Sequence, residues 1–448
     1  VTAQLINGEE GYHLWSTTYD RKLDDIFAIQ LEIASAVVNE LKIALSVDSQ
    51  QQLGRRPTEN VNAYIYFLQG QDRLRSSIDA DVMTTATQLF QRAIEIDPNF
   101  ARAYSGVCEA QLELYEITRS PSDFEDAEKA CATAGELDPE LGVETQLALG
   151  NLYRYRGWTE QAEEKFQEVL SLAAENVDVY IALGELRMSE NRNEDAEAYF
   201  RRAVDLQRNY WRAHQELARF LYRTERYAEA IEVYELVTAL APDVASVFAG
   251  QGAAFWMLGD MESARKAYDR SLELKPSRLA YTNMGLRYYH EGQYMNAVEM
   301  QRGALEYAPD DHRVLGRLAE SYRFIDGADE LARENYEKAA SAASKNLELN
   351  QNDWKTLALL GLYTAHLDKR GEATRHVNEA IEMSVGDPEA LYYQALVRHH
   401  FDDIDGAFES LEAAVAADDQ YRQFIASDPD LKSLSNEERY QALLPTAR

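Results

Sequence analysis

The chain has 448 residues, more than one compact core organises, so it divides into domains or extends as a repeat array. Its 77 Asp and Glu against 45 Lys and Arg give a net charge of −32, which disfavours binding of nucleic acid by the bulk surface. With 46% hydrophobic residues and only 10 prolines and 22 glycines, the composition excludes a disordered chain and favours helix over a loop-rich β-sandwich.

Residues 1–45 stand apart. VTAQLI alternates apolar and polar, NGEEG turns the chain, and YHLWSTTYD alternates again, the pattern of a β-hairpin. A helix is expected from about Asp24, with Leu23, Ile26, Phe27, Ile33, Val37 and Leu41 on one side. A lone hairpin is marginal in water, so this one needs a sheet that the chain does not contain. Its unpaired edge is expected either to pair with a second copy, giving a homodimer through the N-terminus, or to leave the hairpin the least ordered part of the molecule. Residues 46–60 (SVDSQQQLGRRPTEN) read as a linker. The opening lacks an initiator Met, a basic n-region and an apolar h-region, so the chain reads as a fragment or processed product. A cytoplasmic location is favoured, and a periplasmic one follows if a membrane segment lies upstream. No apolar run in the chain reaches the roughly 18–20 residues of a membrane helix.

From residue 61 to 417 a small residue recurs: Ala86, Ala127, Ala162, Ala196, Ala230, Ala264, Ala297, Ala332, Ala373 and Ala407. Most gaps are 33 to 35 residues, and two, Ala86 to Ala127 and Ala332 to Ala373, are 41. Four residues on comes a mostly bulky side chain (Phe90, Phe166, Phe200, Tyr234, Tyr268, Tyr336) and seven on a smaller one, so all three share one helix face. A second small residue, such as Gly150, Gly184, Gly252, Gly285 or Gly361, precedes the alanine by twelve or thirteen positions and allows two antiparallel helices to cross closely. The expected fold is all-α: a solenoid of about ten helix-turn-helix repeats touching only their neighbours, preceded by the hairpin and helix. The extra residues are expected as an expanded turn near Ser76 to Asp81, a loop at 116–123, and a second helix of repeat eight running to about Asn350. Residues 418–448, with Phe424, Leu431, Leu434 and Leu443, are expected to cap the open end.

This pattern resembles the tetratricopeptide repeat over about residues 61–417, which implies a right-handed superhelix with a concave groove. Residues 1–45 in turn resemble the closing segment of the TolB-like (FlgO-type) domain of bacterial signalling proteins. Leu14-Trp15-Ser16, Tyr19-Asp20-Arg21, Asp24-Asp25-Ile26-Phe27 and Gln30 carry that likeness. It implies a bacterial source and an upstream head, which in that family is often a class III nucleotide cyclase or a winged-helix DNA-binding domain.

Catalytic signatures are missing from the sequence. No Gly-rich phosphate loop, GxSxG, HExxH or CxxC occurs, and no catalytic residue, metal site or cofactor is expected. Cys108 and Cys131 read as buried free thiols, and His399-His400 with Asp402-Asp403 as a solvated helix end rather than a metal site.

The repeat resemblance places positions two, five, six, nine, twelve and thirteen of each first helix in the groove. In repeat five these include Arg212, Arg219, Tyr222 and Arg223, and in repeat eight Arg313, Arg317 and Arg323. Repeat six adds Trp256, and repeat seven Asn283 and Tyr289. Arginine forks recognise carboxylates and aromatics add contact area, so the groove is expected to bind a protein or peptide segment, acidic or carrying a C-terminal carboxylate. Internal pairing of these arginines with neighbouring acids is the competing expectation. The Lys/Asn arrangement of chaperone-binding carboxylate clamps is not matched. The chain thus reads as a non-enzymatic interaction scaffold, with the regulatory region of a larger cyclase or transcription regulator as the alternative.

Overall fold

The computed structural model describes residues 2–6, 13–20, 26–40, 56–138 and 142–445. The hairpin turn, Leu23, Leu41, Pro139 and most of the linker lie outside the described residues. Strands β1 (Thr2–Ile6) and β2 (His13–Thr18) pair antiparallel, with Ala3 opposite Thr17 and Leu5 opposite Trp15. Those four share one half-buried face, while Thr2, Gln4, Ser16 and Thr18 are exposed. The helix Ile26–Glu40 follows, and its Phe27 ring lies 4.9 Å from Tyr64 of the first repeat, with Arg56 above it. Gln30 donates a hydrogen bond to the Tyr64 hydroxyl at 3.2 Å.

Ten antiparallel helix pairs run from Val61 to Ala417, a tetratricopeptide-type solenoid. Repeats three to seven pair a first helix of 13 residues with a second of 14, as in Trp211–Arg223 and Tyr227–Leu240. All ten recurring alanines are buried. The contact that the upstream glycines permit is with the bulky residue four after each alanine. A Cβ on Gly150 would lie 2.4 Å from the Phe166 ring, on Gly184 2.6 Å from Phe200, and on Gly252 2.8 Å from Tyr268. Each glycine is thus the floor on which the next helix sets its ring.

The extra residues differ from expectation in where they go. In repeat two they extend the helices: Ala101–Thr118 has 18 residues and Pro121–Leu137 has 17, so residues 116–118 are helical and only Arg119 and Ser120 connect the pair. Repeat one also lengthens its helices, Val61–Ser76 and Ala80–Ile96, and keeps a three-residue turn. Hydrogen bonding within a continued helix satisfies the inserted backbone more completely than an open loop does. In repeat eight the second helix runs Asp329–Leu349, 21 residues.

Two further expectations are corrected. Cys108 and Cys131 are not free: their sulfurs are bonded at 2.08 Å, because the crossing of the repeat-two helices brings the Cα atoms to 5.3 Å. Contacts also extend well beyond neighbouring repeats. Arg278 of repeat seven donates to the Ile117 carbonyl at 3.0 Å, and Arg156 of repeat three to the Leu349 carbonyl at 3.3 Å. Lys275 at the end of repeat six pairs with Asp81 of repeat one at 3.0 Å. The superhelical turn has brought its two ends together.

At the C-terminus, Tyr421–Ser427, a 3₁₀ turn Pro429–Leu434 and Glu438–Leu443 fold over repeat ten. Ile425, Leu431, Leu434, Tyr440 and Leu443 are buried in one cluster with Val397, Phe408 and Leu411, while Phe424 remains 42% exposed. His399 is no solvated helix end: it lies half-buried under this segment, bonded to the Asp430 carbonyl at 3.1 Å and to Ser433. His400 packs edge-on against His366 at 4.8 Å.

Candidate functional site

The first helices of the pairs line the inside of the superhelix, and most of the inner charges are matched. Arg212 meets Glu113 of repeat two at 3.5 Å, and Arg75 meets Asp178 of repeat four at 3.3 Å. Arg219 bonds Glu216 at 2.6 Å and also Glu185 of the preceding repeat, which in turn holds Arg154 at 3.0 Å. Burial and the facing carboxylates of Asp178 and Glu144 push the Glu109 carboxyl up to about 8. Where Arg278 pairs with Asp311 at 3.0 Å, burial is outweighed by Arg278 and Arg119, and Asp311 falls to about 2.

The exceptions are arginines of repeats five and eight. Among the described residues, the guanidinium groups of Arg223, Arg313 and Arg317 make no ion pair or hydrogen bond. Arg223 and Arg313 are water-accessible and Arg317 is half-buried. Burial and repulsion from Arg219 and Arg313 lower the pKa of Arg223, against the opposing pull of Glu389 and Glu185. Arg317 sits in the field of Tyr222 and of His290, whose pKa is lowered by burial and by this arginine. The His290 ring lies 5.5 Å from Trp256, tilted, and 5.7 Å from Tyr289, edge-on. These fields relate Tyr222, Arg223, Arg313 and Arg317, and His290 joins Trp256 to them, while Tyr289 also packs edge-on against Tyr294 and Phe324.

The other candidates lie elsewhere. Asn283 donates to the Ala249 carbonyl at 3.3 Å and ties repeat seven to repeat six. Arg323 is held by Asp430 of the C-terminal segment at 2.8 Å. Beside it, burial and Asp430 raise Glu320 to about 7 and Asp428 to about 6. Sequence reasoning missed Tyr392 and Tyr393 of repeat ten. The same register would have found them, since they occupy positions five and six of Pro388–His400. Tyr393 lies in the fields of Glu389, Arg317 and Arg313. Glu109 and Glu113 of repeat two likewise occupy groove positions, nine and thirteen of Ala101–Thr118. Among the described residues no group of three His, Cys, Asp or Glu could hold a metal ion, and no helix is long and apolar enough to cross a membrane.

A family model of the tetratricopeptide repeat matches residues 147–214, 181–245 and 216–278. The chain is 32% identical over 107 residues to putative adenylate cyclase 3 of Rhizobium meliloti (strain 1021), covering 24% of this chain and 18% of that protein. It is 25% identical over 314 residues to the TPR repeat-containing protein YpiA of Bacillus subtilis (strain 168), covering 68% of this chain and 64% of that one. The chain thus spans less than two thirds of either relative. Among solved structures, the APC/C hetero-tetramer Cut9-Hcn1 aligns over 94% of this chain and 84% of its own, at 15% identity and a TM-score of 0.47. Residues 147–278 thus match the tetratricopeptide repeat, and helix pairs of the same kind continue on both sides of them from Val61 to Ala417.

Proposed function

We propose that this chain is a non-enzymatic scaffold that captures a protein or peptide segment inside the superhelix, and that the segment is acidic or ends in a free carboxylate. One observation carries the reading. In a chain of net charge −32, where Arg212, Arg219 and Arg323 are each held by an acid, Arg223, Arg313 and Arg317 face the interior unpaired. Unpaired guanidinium groups set close together repel one another, and an anion relieves that repulsion. Tyr222, Trp256 and Tyr289 supply the flat contact area beside them.

The test uses fluorescent peptides with an acidic sequence and a free C-terminus, alongside their amidated and neutral counterparts. Binding should be lost in Arg313→Ala with Arg317→Ala, should weaken with salt, and should survive Asn283→Ala. Equal affinity for acidic and neutral peptides, or no effect of the double substitution, would leave these arginines without the role.

Two readings accompany this one. The hairpin edge is proposed to pair with a second copy of the chain, since a two-stranded sheet leaves its backbone donors and acceptors open. The likeness of residues 1–45 to the end of a TolB-like domain, and the 107-residue similarity to a putative adenylate cyclase, support a regulatory region of a larger protein as the second reading. It ranks below the first because that similarity covers only 24% of the chain.

A further inference from the structure

The two long gaps of the repeat pattern meet in space. One lengthens the first helix of repeat two to 18 residues, and its last turn presents the Glu116 and Ile117 carbonyls. The other lengthens the second helix of repeat eight to 21 residues and delivers Leu349, followed by Asn350 and Asn352, to the far side of the superhelix. Leu349 packs against the apolar cluster of repeats one to three, and Asn352 donates to the Gly157 carbonyl at 3.1 Å. Gly157 has φ +72°, and a Cβ there would lie 2.3 Å from the Asn350 side chain, so the approach needs glycine. Arg278 bridges the same gap, donating to Ile117 at 3.0 Å and Glu116 at 3.3 Å while pairing with Asp311.

We propose that these two insertions are a latch. They hold the superhelix shut as a closed turn, and their release opens it. The regular repeats need neither added turn, because repeats three to seven form the same helix pairs without them. The joint is a few hydrogen bonds, exposed ion pairs and one leucine. An interface that small and polar closes the turn without welding it, so hinge opening is accessible while each helix pair stays intact. Closure turns an open groove into a channel that admits an extended segment end-on, whereas opening admits a folded partner from the side. That consequence rests on the ligand reading above; the latch itself does not.

Energy transfer tests it without any ligand. Donor and acceptor are placed through non-natural residues at the exposed positions Ser122 and Lys345, leaving the cysteines untouched, with Ser122 and Glu175 as a control pair on one side of the joint. Arg278→Ala, Leu349→Ala and Asn352→Ala together should lower transfer between 122 and 345 and leave the control pair unchanged, with the helical circular dichroism retained. High salt should lower it further. Unchanged transfer at 122 and 345 would overturn the latch. Equal loss at both pairs would overturn it too, because the joint would then be needed for folding rather than for closure.

Discussion

Asn352 reaches across 195 residues of sequence to bond the Gly157 carbonyl, and the Asn350 side chain occupies the place that a Cβ on Gly157 would take. A solenoid stabilised only by nearest neighbours has no use for such a pair. Its presence means that the stability of repeats two and three depends in part on repeats eight and nine. Gly157→Ala should therefore lower amide protection in repeat nine as well as in repeat three; confinement of the change to repeat three would show that the distant contact contributes nothing.

Gly252 lies under the Tyr268 ring. Gly252→Leu should push the two helices of repeat six apart and cost about 3 kcal/mol, the upper range for overpacking a tight contact. Urea unfolding read by hydrogen exchange across 245–274 is the measurement. Parent-like protection there would mean that the register of the repeat is misassigned.

Reducing the Cys108–Cys131 bond should loosen repeat two. The sulfurs close a loop of 23 residues in sequence separation, for which the chain-entropy argument gives about 3 kcal/mol. Hydrogen exchange of residues 101–137 should accelerate in the reduced protein and in Cys131→Ser. Identical exchange in both redox states would contradict the prediction.

The raised pKa of Glu109 has a sign that can be checked. A carboxyl whose folded pKa exceeds its unfolded value favours the native state while it is protonated, and that contribution is lost as pH rises through about 8. Glu109→Gln should therefore be close to neutral at pH near 5 and stabilising relative to the parent at pH above 8. A stabilisation that does not grow with pH would mean Glu109 is ionised throughout.

Light scattering of the full chain beside one starting at residue 60 tests the hairpin. The longer chain should be a dimer and the shorter one a monomer. Monomers in both cases, with the strand amides strongly protected, would show that the two strands need no partner.

The sequence alone determined the helix pairs, because each repeats one local rule: a small residue, a crossing, a ring four positions beyond an alanine. Such rules act within about forty residues and leave a period that can be counted. Of the apolar residues after the last repeat, Leu431, Leu434 and Leu443 are buried beside Phe408 and Leu411, while Phe424 stays exposed. Tertiary structure decided which inner arginines are free. Arg212 and Arg313 both stand at position two of their first helices, yet one pairs with Glu113 three repeats away and the other pairs with no acid. That difference depends on the radius and pitch of the superhelix, which are sums of small rotations at every repeat. The same sum decided that the insertions meet, and the helix crossing decided that Cys108 and Cys131 bond. No local pattern records a distance accumulated over two hundred residues.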